Sequence, residues 1–171
     1  MVIRPPTAID GPAVHDLIAN CPELDANSLY CNVLQCAHFS ETCAVALDRD
    51  GVAGWASGYL LPGDPDTLFV WQIAVRHDAR GSGIGIRLLT DILLRPRARP
   101  PTKVAATVTS DNHPSMALFE ALARRLDGRL ERTAGFSRGE HFGGRHPSEL
   151  ALSIGPFALD RLDRALKQET L

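Results

Sequence analysis

The chain has 171 residues, 44% of them hydrophobic and 22% charged, with 18 basic against 20 acidic side chains and a formal net charge of -2. That length suits one domain with a substantial core and is short for two independent ones. The mixture excludes wholesale disorder, collagen-like repetition and a coiled coil, and the near balance of charge gives no reason to expect nucleic acid or an acidic membrane surface as partner.

Val2-Ile3-Arg4 reads as a short first strand. Thr7 offers a helix cap ahead of Val14, Leu17 and Ile18, which are spaced as an apolar stripe in a helix that tolerates Pro12 early. After a break at Cys21-Pro22, Ser28 caps a second helix with Tyr30, Val33, Leu34 and Ala37 on one face. Residues 42–47 and 52–60 are β-rich runs joined by Asp48-Arg49-Asp50-Gly51, the composition of a hairpin turn. Residues 62–66 read as a loop. Residues 67–75 are apolar at nearly every position, which predicts a central strand covered on both faces.

Arg80-Gly81-Ser82-Gly83-Ile84-Gly85 then leads into a helix to about residue 94, with Ile84, Leu88, Leu89 and Ile92 inward. A surface loop rich in Pro and Arg (95–101) and a strand (104–109) follow. Pro114 begins a helix with Met116, Leu118, Phe119, Leu122 and Leu126 inward and Gly128 as its stop. Strands are expected at 130–133 and 149–154. Between them, residues 134–147 are rich in Gly, His and Phe, and loops of that length in compact domains tend to carry function. Residues 157–171 read as a short amphipathic helix, with Leu159, Leu162 and Leu166 on one side.

Four cysteines, Cys21, Cys31, Cys36 and Cys43, lack the spacing of a zinc knuckle or a redox motif, so reduced thiols, no disulfide and no metal are expected. No apolar stretch approaches a membrane span, and Met1-Val2-Ile3-Arg4-Pro5-Pro6 lacks the pattern of a signal peptide, so the expected location is cytoplasmic. Seven basic residues (Arg76, Arg80, Arg87, Arg95, Arg97, Arg99 and Lys103) stand against Asp78 and Asp91 in one segment. Such a segment reads either as a solvated face or as the seat of an anionic ligand.

A strand, a glycine-rich turn and a helix together make an anion site, because glycines let the backbone approach and the helix N–H groups point at the ligand. Walker A needs a lysine that is missing here, and the dinucleotide fingerprint needs a spacing that Gly81, Gly83 and Gly85 do not have. The pattern resembles the pyrophosphate loop of the GNAT superfamily of N-acetyltransferases, Arg/Gln-x-x-Gly-x-Gly/Ala, as does the order of elements along almost the entire chain. The resemblance implies an α/β fold with a central mixed sheet of six to seven strands flanked by helices, over residues 1–156, with 157–171 as a tail.

It also implies acetyl-CoA as donor, with no metal. The pyrophosphate would lie on Arg80, Gly81, Ser82, Gly83, Ile84 and Gly85. The pantetheine arm would pair with the main chain of Ile73, Ala74 and Val75 like an added strand, and an amide there would face the thioester oxygen. Asn112 and Ser115 match the place where the superfamily contacts the CoA arm, although Asn112 also reads as a plain helix cap. Arg76 and Arg87 are further phosphate candidates.

At a finer level the chain resembles the diaminobutyrate acetyltransferases of the ectoine pathway. The segments that carry this include Leu24-Asp25-Ala26-Asn27-Ser28-Leu29-Tyr30, Gly58-Tyr59 and Pro65-Asp66-Thr67-Leu68-Phe69-Val70-Trp71-Gln72. The implied reaction is acetyl transfer to the 4-amino group of L-2,4-diaminobutyrate, within osmoprotectant synthesis, by a homodimer. A diamino acid calls for carboxylates and polar groups beside an apolar wall. Asp25, Tyr30, Trp71 and Glu149 are the expected acceptor contacts, with His146 beside them. Each has a plainer reading: a helix cap for Asp25, core for Tyr30 and Trp71, surface for His146 and Glu149.

An alkylamine with a pKa near ~10 must lose a proton to attack, and Glu149 or His146 is the candidate base. Many relatives place a tyrosine, the acid for the departing thiolate, where this chain has Phe119. Two other readings therefore stay open: a GNAT enzyme for another small amine, and an inactive CoA-binding module.

Overall fold

The computed structural model describes residues 1–160 and Leu162. The strands are β1 (Val2–Arg4), β2 (Ala44–Asp48), β3 (Gly51–Leu61), β4 (Asp64–Val75), β5 (Lys103–Thr109), β6 (Leu130–Ala134) and β7 (Glu149–Ile154). The helices are α1 (Gly11–Ala19), α2 (Leu29–His38), α3 (Ile84–Leu94) and α4 (His113–Leu126). Hydrogen bonding orders the strands β1-β2-β3-β4-β5-β7-β6. The β4–β5 ladder is parallel, whereas β1–β2, β2–β3, β5–β7 and β6–β7 are antiparallel. This mixed sheet of seven strands is the expected one. The chain forms two compact units that share β4.

The first unit comprises Met1–Leu60 and Val70–Pro100. Val14, Leu17 and Ile18 of α1 are buried as their spacing predicts, with Cys21, Cys36, Cys43, Val45, Trp55 and Ala74 around them. A Cβ on Gly11 would lie 2.6 Å from Val33 Cγ2, so glycine permits the close approach of α1 and α2. The α2 expectation is corrected. Tyr30 and Ala37 are exposed, and the buried positions are Asn32, Gln35 and Cys36. Polar side chains on this face pair with one another, Asn32 Nδ2 donating to Gln35 Oε1 at 3.1 Å and His15 Nδ1 to Asn32 Oδ1 at 3.2 Å, while Gln35 Nε2 is buried without a partner among the described residues.

On α3, Ile84, Leu88, Leu89 and Ile92 are all buried, as expected. A Cβ on Gly54 would lie 2.6 Å from Ile84 Cγ2 and 3.1 Å from Leu88 Cδ1, so the helix rests directly on β3. The four cysteines are free thiols, and burial pushes Cys36 up to about 12 and Cys43 to about 11. Cys36 and Cys43, with no exposed surface, serve as small apolar fillers here.

The second unit comprises Leu61–Phe69 and the described residues from Pro101 onward. The loop expected at 62–66 is shorter, because β4 already begins at Asp64. Thr67 Oγ1 and Lys103 Nζ both donate to Asp64 Oδ2, at 2.8 and 3.1 Å, which holds that strand start. Phe119, Leu122, Ala123 and Leu126 are the buried face of α4. The left-handed residue that ends α4 is Asp127 (φ 50°), not Gly128. Gly128 is required for another reason: a Cβ there would lie 2.9 Å from Ile154 Cγ2.

β7 pairs with β5 from Val104↔Ile154 to Thr109↔Glu149, in the range the sequence predicts. Past it, Phe157 is buried and its N–H donates to Thr102 O at 2.9 Å. Residues 159, 160 and 162 are helical. The rest of the helix expected at 157–171 lies outside the described residues.

Candidate active site

In the first unit β4 ends at Val75, a short turn follows at His77–Ala79, and α3 begins at Ile84. Gly81 (φ +76°) and Gly83 (φ +77°) are left-handed, and nothing lies within 4 Å of a Cβ added to either. Conformation, not crowding, demands glycine here, and the space beside both residues is open. Gly83 caps α3 without a side-chain cap, and the first N–H to reach a carbonyl of its own helix is Arg87, bonded to Gly83 O at 3.1 Å. The N–H groups of Gly83, Ile84, Gly85 and Ile86 come before that bond. A row of main-chain donors at a helix start with clear space beside it fits a pyrophosphate. Gly85, expected in the turn, is already in the first turn of the helix, and Ser82 Oγ holds the turn by donating to Ala79 O at 2.5 Å.

The arginines of this region bind the chain itself. Arg80 Nε donates to Val75 O at 3.1 Å, its guanidinium pairs with Glu23, and Nη2 lies 3.6 Å from Cys21 Sγ. Burial works against the Arg80 charge, but the Cys21 sulfur and the Glu23 carboxylate outweigh it and hold the group more basic than usual. Arg76 bonds both oxygens of Asp48, at 3.2 and 2.6 Å, and Asp78 Oδ1 at 2.7 Å. Those hydrogen bonds hold Asp48 and Asp78 below the usual carboxylate range. Arg95 serves Asp91 and the carbonyls of Ser40, Glu41 and Cys43. Arg76, Arg80 and Arg95 are thus paired within the chain, and Arg87 is the exposed cation on α3.

The strand expected to be covered on both faces is not. Val70, Gln72 and Ala74 are buried, whereas Trp71 is 49% exposed and Ile73 and Val75 are half-buried. Trp71 meets Tyr59 edge-on, with ring centroids 6.3 Å apart. Sequence reasoning did not single out Tyr59 as a site residue, and its one signal was the shared Gly58-Tyr59 segment. The β4–β5 ladder runs from Thr67↔Lys103 to Phe69↔Ala105, and β4 continues beyond it to Val75.

Asp25 is exposed and its carbonyl accepts from Gln72 Nε2 at 2.9 Å, so β4 holds the segment before α2. Tyr30, in the first turn of α2, is 70% exposed. Exposure removes the core reading for both Tyr30 and Trp71. Ser28, not Asp25, is the cap of α2, accepting from Cys31 N–H at 3.1 Å.

In the second unit, Glu149 begins β7, with its N–H bonded to Phe136 O (2.8 Å) and its carbonyl to Gly135 N–H (3.1 Å). Gly135 is obligatory, since its Cβ would lie 2.7 Å from Glu149 O. His146 Nδ1 lies 2.7 Å from Pro147 O. A carbonyl only accepts, so the neutral ring carries its proton on Nδ1 and Nε2 is the basic nitrogen. The His146 ring packs on Phe142 at 4.6 Å, and Phe142 meets Phe136 at 6.1 Å. Asn112 Oδ1 accepts from Ser115 N–H at 3.1 Å, so the cap reading of Asn112 is realised. Phe119, at the position of the missing tyrosine, is buried.

Among the described residues no group of His, Cys, Asp and Glu could hold a metal ion, and no helix is long and apolar enough to cross a membrane. The profile of the acetyltransferase (GNAT) family matches residues 12–123. The chain is 45% identical over 157 residues to the L-2,4-diaminobutyric acid acetyltransferase of Methylotuvimicrobium alcaliphilum, covering 92% of this chain and 91% of that one. It is 42% identical to the enzyme of the same name from Chromohalobacter salexigens, covering 92% and 82%. Among solved structures it is similar to the diaminobutyrate acetyltransferase EctA of Paenibacillus lautus, in complex with its substrate L-2,4-diaminobutyric acid and coenzyme A. There the TM-score is 0.86 and the identity 34%, over 92% of this chain and 95% of that one.

Proposed function

Because the chain belongs to the GNAT family of acetyltransferases, we propose that it transfers the acetyl group of acetyl-CoA to the 4-amino group of L-2,4-diaminobutyrate. The product is N4-acetyl-L-2,4-diaminobutyrate, and the step belongs to ectoine biosynthesis. The observation that carries the donor half is the turn of two open, left-handed glycines before an uncapped helix. The acceptor rests on similarity along more than nine-tenths of the chain to enzymes named for it.

Acetyl-CoA supplies an activated acetyl thioester. The main-chain N–H groups from Gly81 to Ile86 hold its pyrophosphate, and the main chain of Ile73–Val75 takes the pantetheine arm and offers an amide to the thioester oxygen. Asn112 and Ser115, at the start of α4, receive the arm further along.

Asp25 binds an ammonium group of the acceptor, and Tyr30 and Trp71 provide an aromatic wall that suits a cation. Glu149, or His146 through Nε2, removes the ammonium proton so that the nitrogen lone pair can form the new C–N bond as the C–S bond breaks. With Phe119 in place of tyrosine, no side-chain acid is assigned to the thiolate, which is a weaker base than the attacking amine, leaves as the anion and takes its proton from water. Residues 1–156 act as the acetyltransferase domain of a cytoplasmic homodimer in osmoprotection.

The test is CoA release from acetyl-CoA with 2,4-diaminobutyrate, ornithine and diaminopropionate, with the site of acetylation read by NMR. Fastest release with diaminobutyrate and acetylation at N4 is expected. Faster turnover of another amine, acetylation mainly at N2, or binding of acetyl-CoA without turnover would each overturn the assignment. Light scattering at twice the monomer mass is expected for the dimer.

A further inference from the structure

Gln72 sits on β4 between Trp71 and Ile73 with its side chain nine-tenths buried. Nε2 donates to the Asp25 carbonyl at 2.9 Å and Oε1 accepts from Asn27 Nδ2 at 3.0 Å. These partners lie 47 and 45 positions away in the chain. Only one orientation of the amide satisfies both, because turning it over sets nitrogen against nitrogen and oxygen against oxygen. A strand needs only main chain at such a position, and a buried amide without partners is destabilising. A leucine would fill the space more cheaply. The arrangement ties the main chain that carries the Asp25 carboxylate to the strand that carries Trp71 and the acetyl-binding main chain.

We propose that Gln72 and Asn27 are positioning residues that hold the Asp25 carboxylate in register with β4 and so decide which amino group of a diamine acceptor is delivered to the thioester. The inference rests on the reading of Asp25 as the acceptor's cation contact. The two amino groups of 2,4-diaminobutyrate are two carbons apart, and a misplacement of about 1 Å already costs about 100-fold in rate. A carboxylate free to drift with its loop would bind the acceptor more weakly and admit the 2-amino group to the attacking position.

The experiment compares the wild-type protein with Asn27→Ala, Gln72→Leu and Asp25→Asn, and with the Asp25→Asn/Asn27→Ala double variant. Asn27 is only half-buried, so its truncation leaves the core of the unit intact should Gln72→Leu not fold. For Asn27→Ala and Gln72→Leu the KM for diaminobutyrate rises roughly tenfold or more. N2-acetylated product appears by NMR and the KM for acetyl-CoA is unchanged.

In the Asp25→Asn background, Asn27→Ala has no further effect on KM, since it acts through that carboxylate. Equal fold-changes in both backgrounds would show a merely structural tie and overturn the proposal, as would unchanged KM and regiochemistry in Asn27→Ala. If Asp25→Asn raises KM and Asn27→Ala does not, the positioning role alone falls. If Asp25→Asn leaves KM unchanged, or the wild-type protein leaves diaminobutyrate unacetylated, the underlying reading and the proposal fall together.

Discussion

Arg80 Nε donates to the carbonyl of Val75 at 3.1 Å, joining the first residue of the glycine turn to the last residue of β4. The same guanidinium pairs with Glu23, so one planar group fixes three segments. The two main-chain stretches assigned to acetyl-CoA, Ile73–Val75 and Gly81–Ile86, therefore keep a set geometry. Arg80→Lys keeps the charge but offers a single ammonium that cannot serve both partners. Calorimetric titration with acetyl-CoA is expected to show affinity roughly tenfold weaker, the equivalent of one charge-assisted hydrogen bond. Unchanged affinity would show that the turn keeps its shape without this tie.

Gly83 is a glycine for its own backbone conformation, and Gly54 for its contact with α3. Gly83→Ala meets no atom and strains a left-handed residue by about 1–2 kcal/mol. It is expected to weaken acetyl-CoA binding by distorting the amides of the turn. Gly54→Ala places a methyl 2.6 Å from Ile84 Cγ2 and lifts α3 from β3, an overpacking cost of about 1–3 kcal/mol. Urea midpoints should fall in both, and acetyl-CoA affinity should fall more per unit of stability lost in Gly83→Ala.

Removing the candidate base should separate proton transfer from binding. Glu149→Gln keeps the shape of the side chain and the β7 hydrogen bonds while abolishing its basicity. The expected loss in kcat is about 100-fold or more with acetyl-CoA affinity preserved. His146→Ala is the companion variant. Whichever of the two leaves kcat unchanged drops out of the mechanism.

Acid stability follows from the paired carboxylates. Hydrogen bonds from Arg4 hold Asp10 below its ordinary range, and those from Arg76 do the same for Asp48. A carboxyl whose folded pKa is depressed adds stability above its unfolded value, near pH ~3.9, and loses it as pH falls toward the folded value. Urea midpoints of the wild-type protein should hold down to about pH 5 and then decline progressively. Asp10→Asn should be less stable near neutral pH and show a shallower acid limb. An identical limb would mean that the Arg4–Asp10 pair contributes nothing to folding.

The elements were largely legible because their signals are local. Ile84, Leu88, Leu89 and Ile92 lie inward as their helical spacing predicts, and β7 spans the expected residues. The face of α2 was misread for a physical reason. Apolar periodicity locates a buried face only where burial is apolar, and Asn32 and Gln35 are buried through hydrogen bonds to each other and to His15. The stop of α4 was misread by one residue because Asp127 adopts the left-handed turn while Gly128 meets a steric need set by Ile154, a contact across the fold.

The sequence by itself determined the conformation of the glycine turn. Glycines at 81 and 83 and a helix-forming run after them specify open main-chain amides through the conformations that glycine alone adopts cheaply. Only the tertiary structure decided the partners. It turned Arg80 toward Glu23 and Val75, made Asn112 a cap, left Trp71 half exposed beside Tyr59, and tied Gln72 to Asn27 and Asp25. The reason is that a buried polar group pairs with whatever the closed chain brings within about 3 Å. Loops of 45 residues cost little more to close than loops half as long, so spacing along the sequence does not single out that partner.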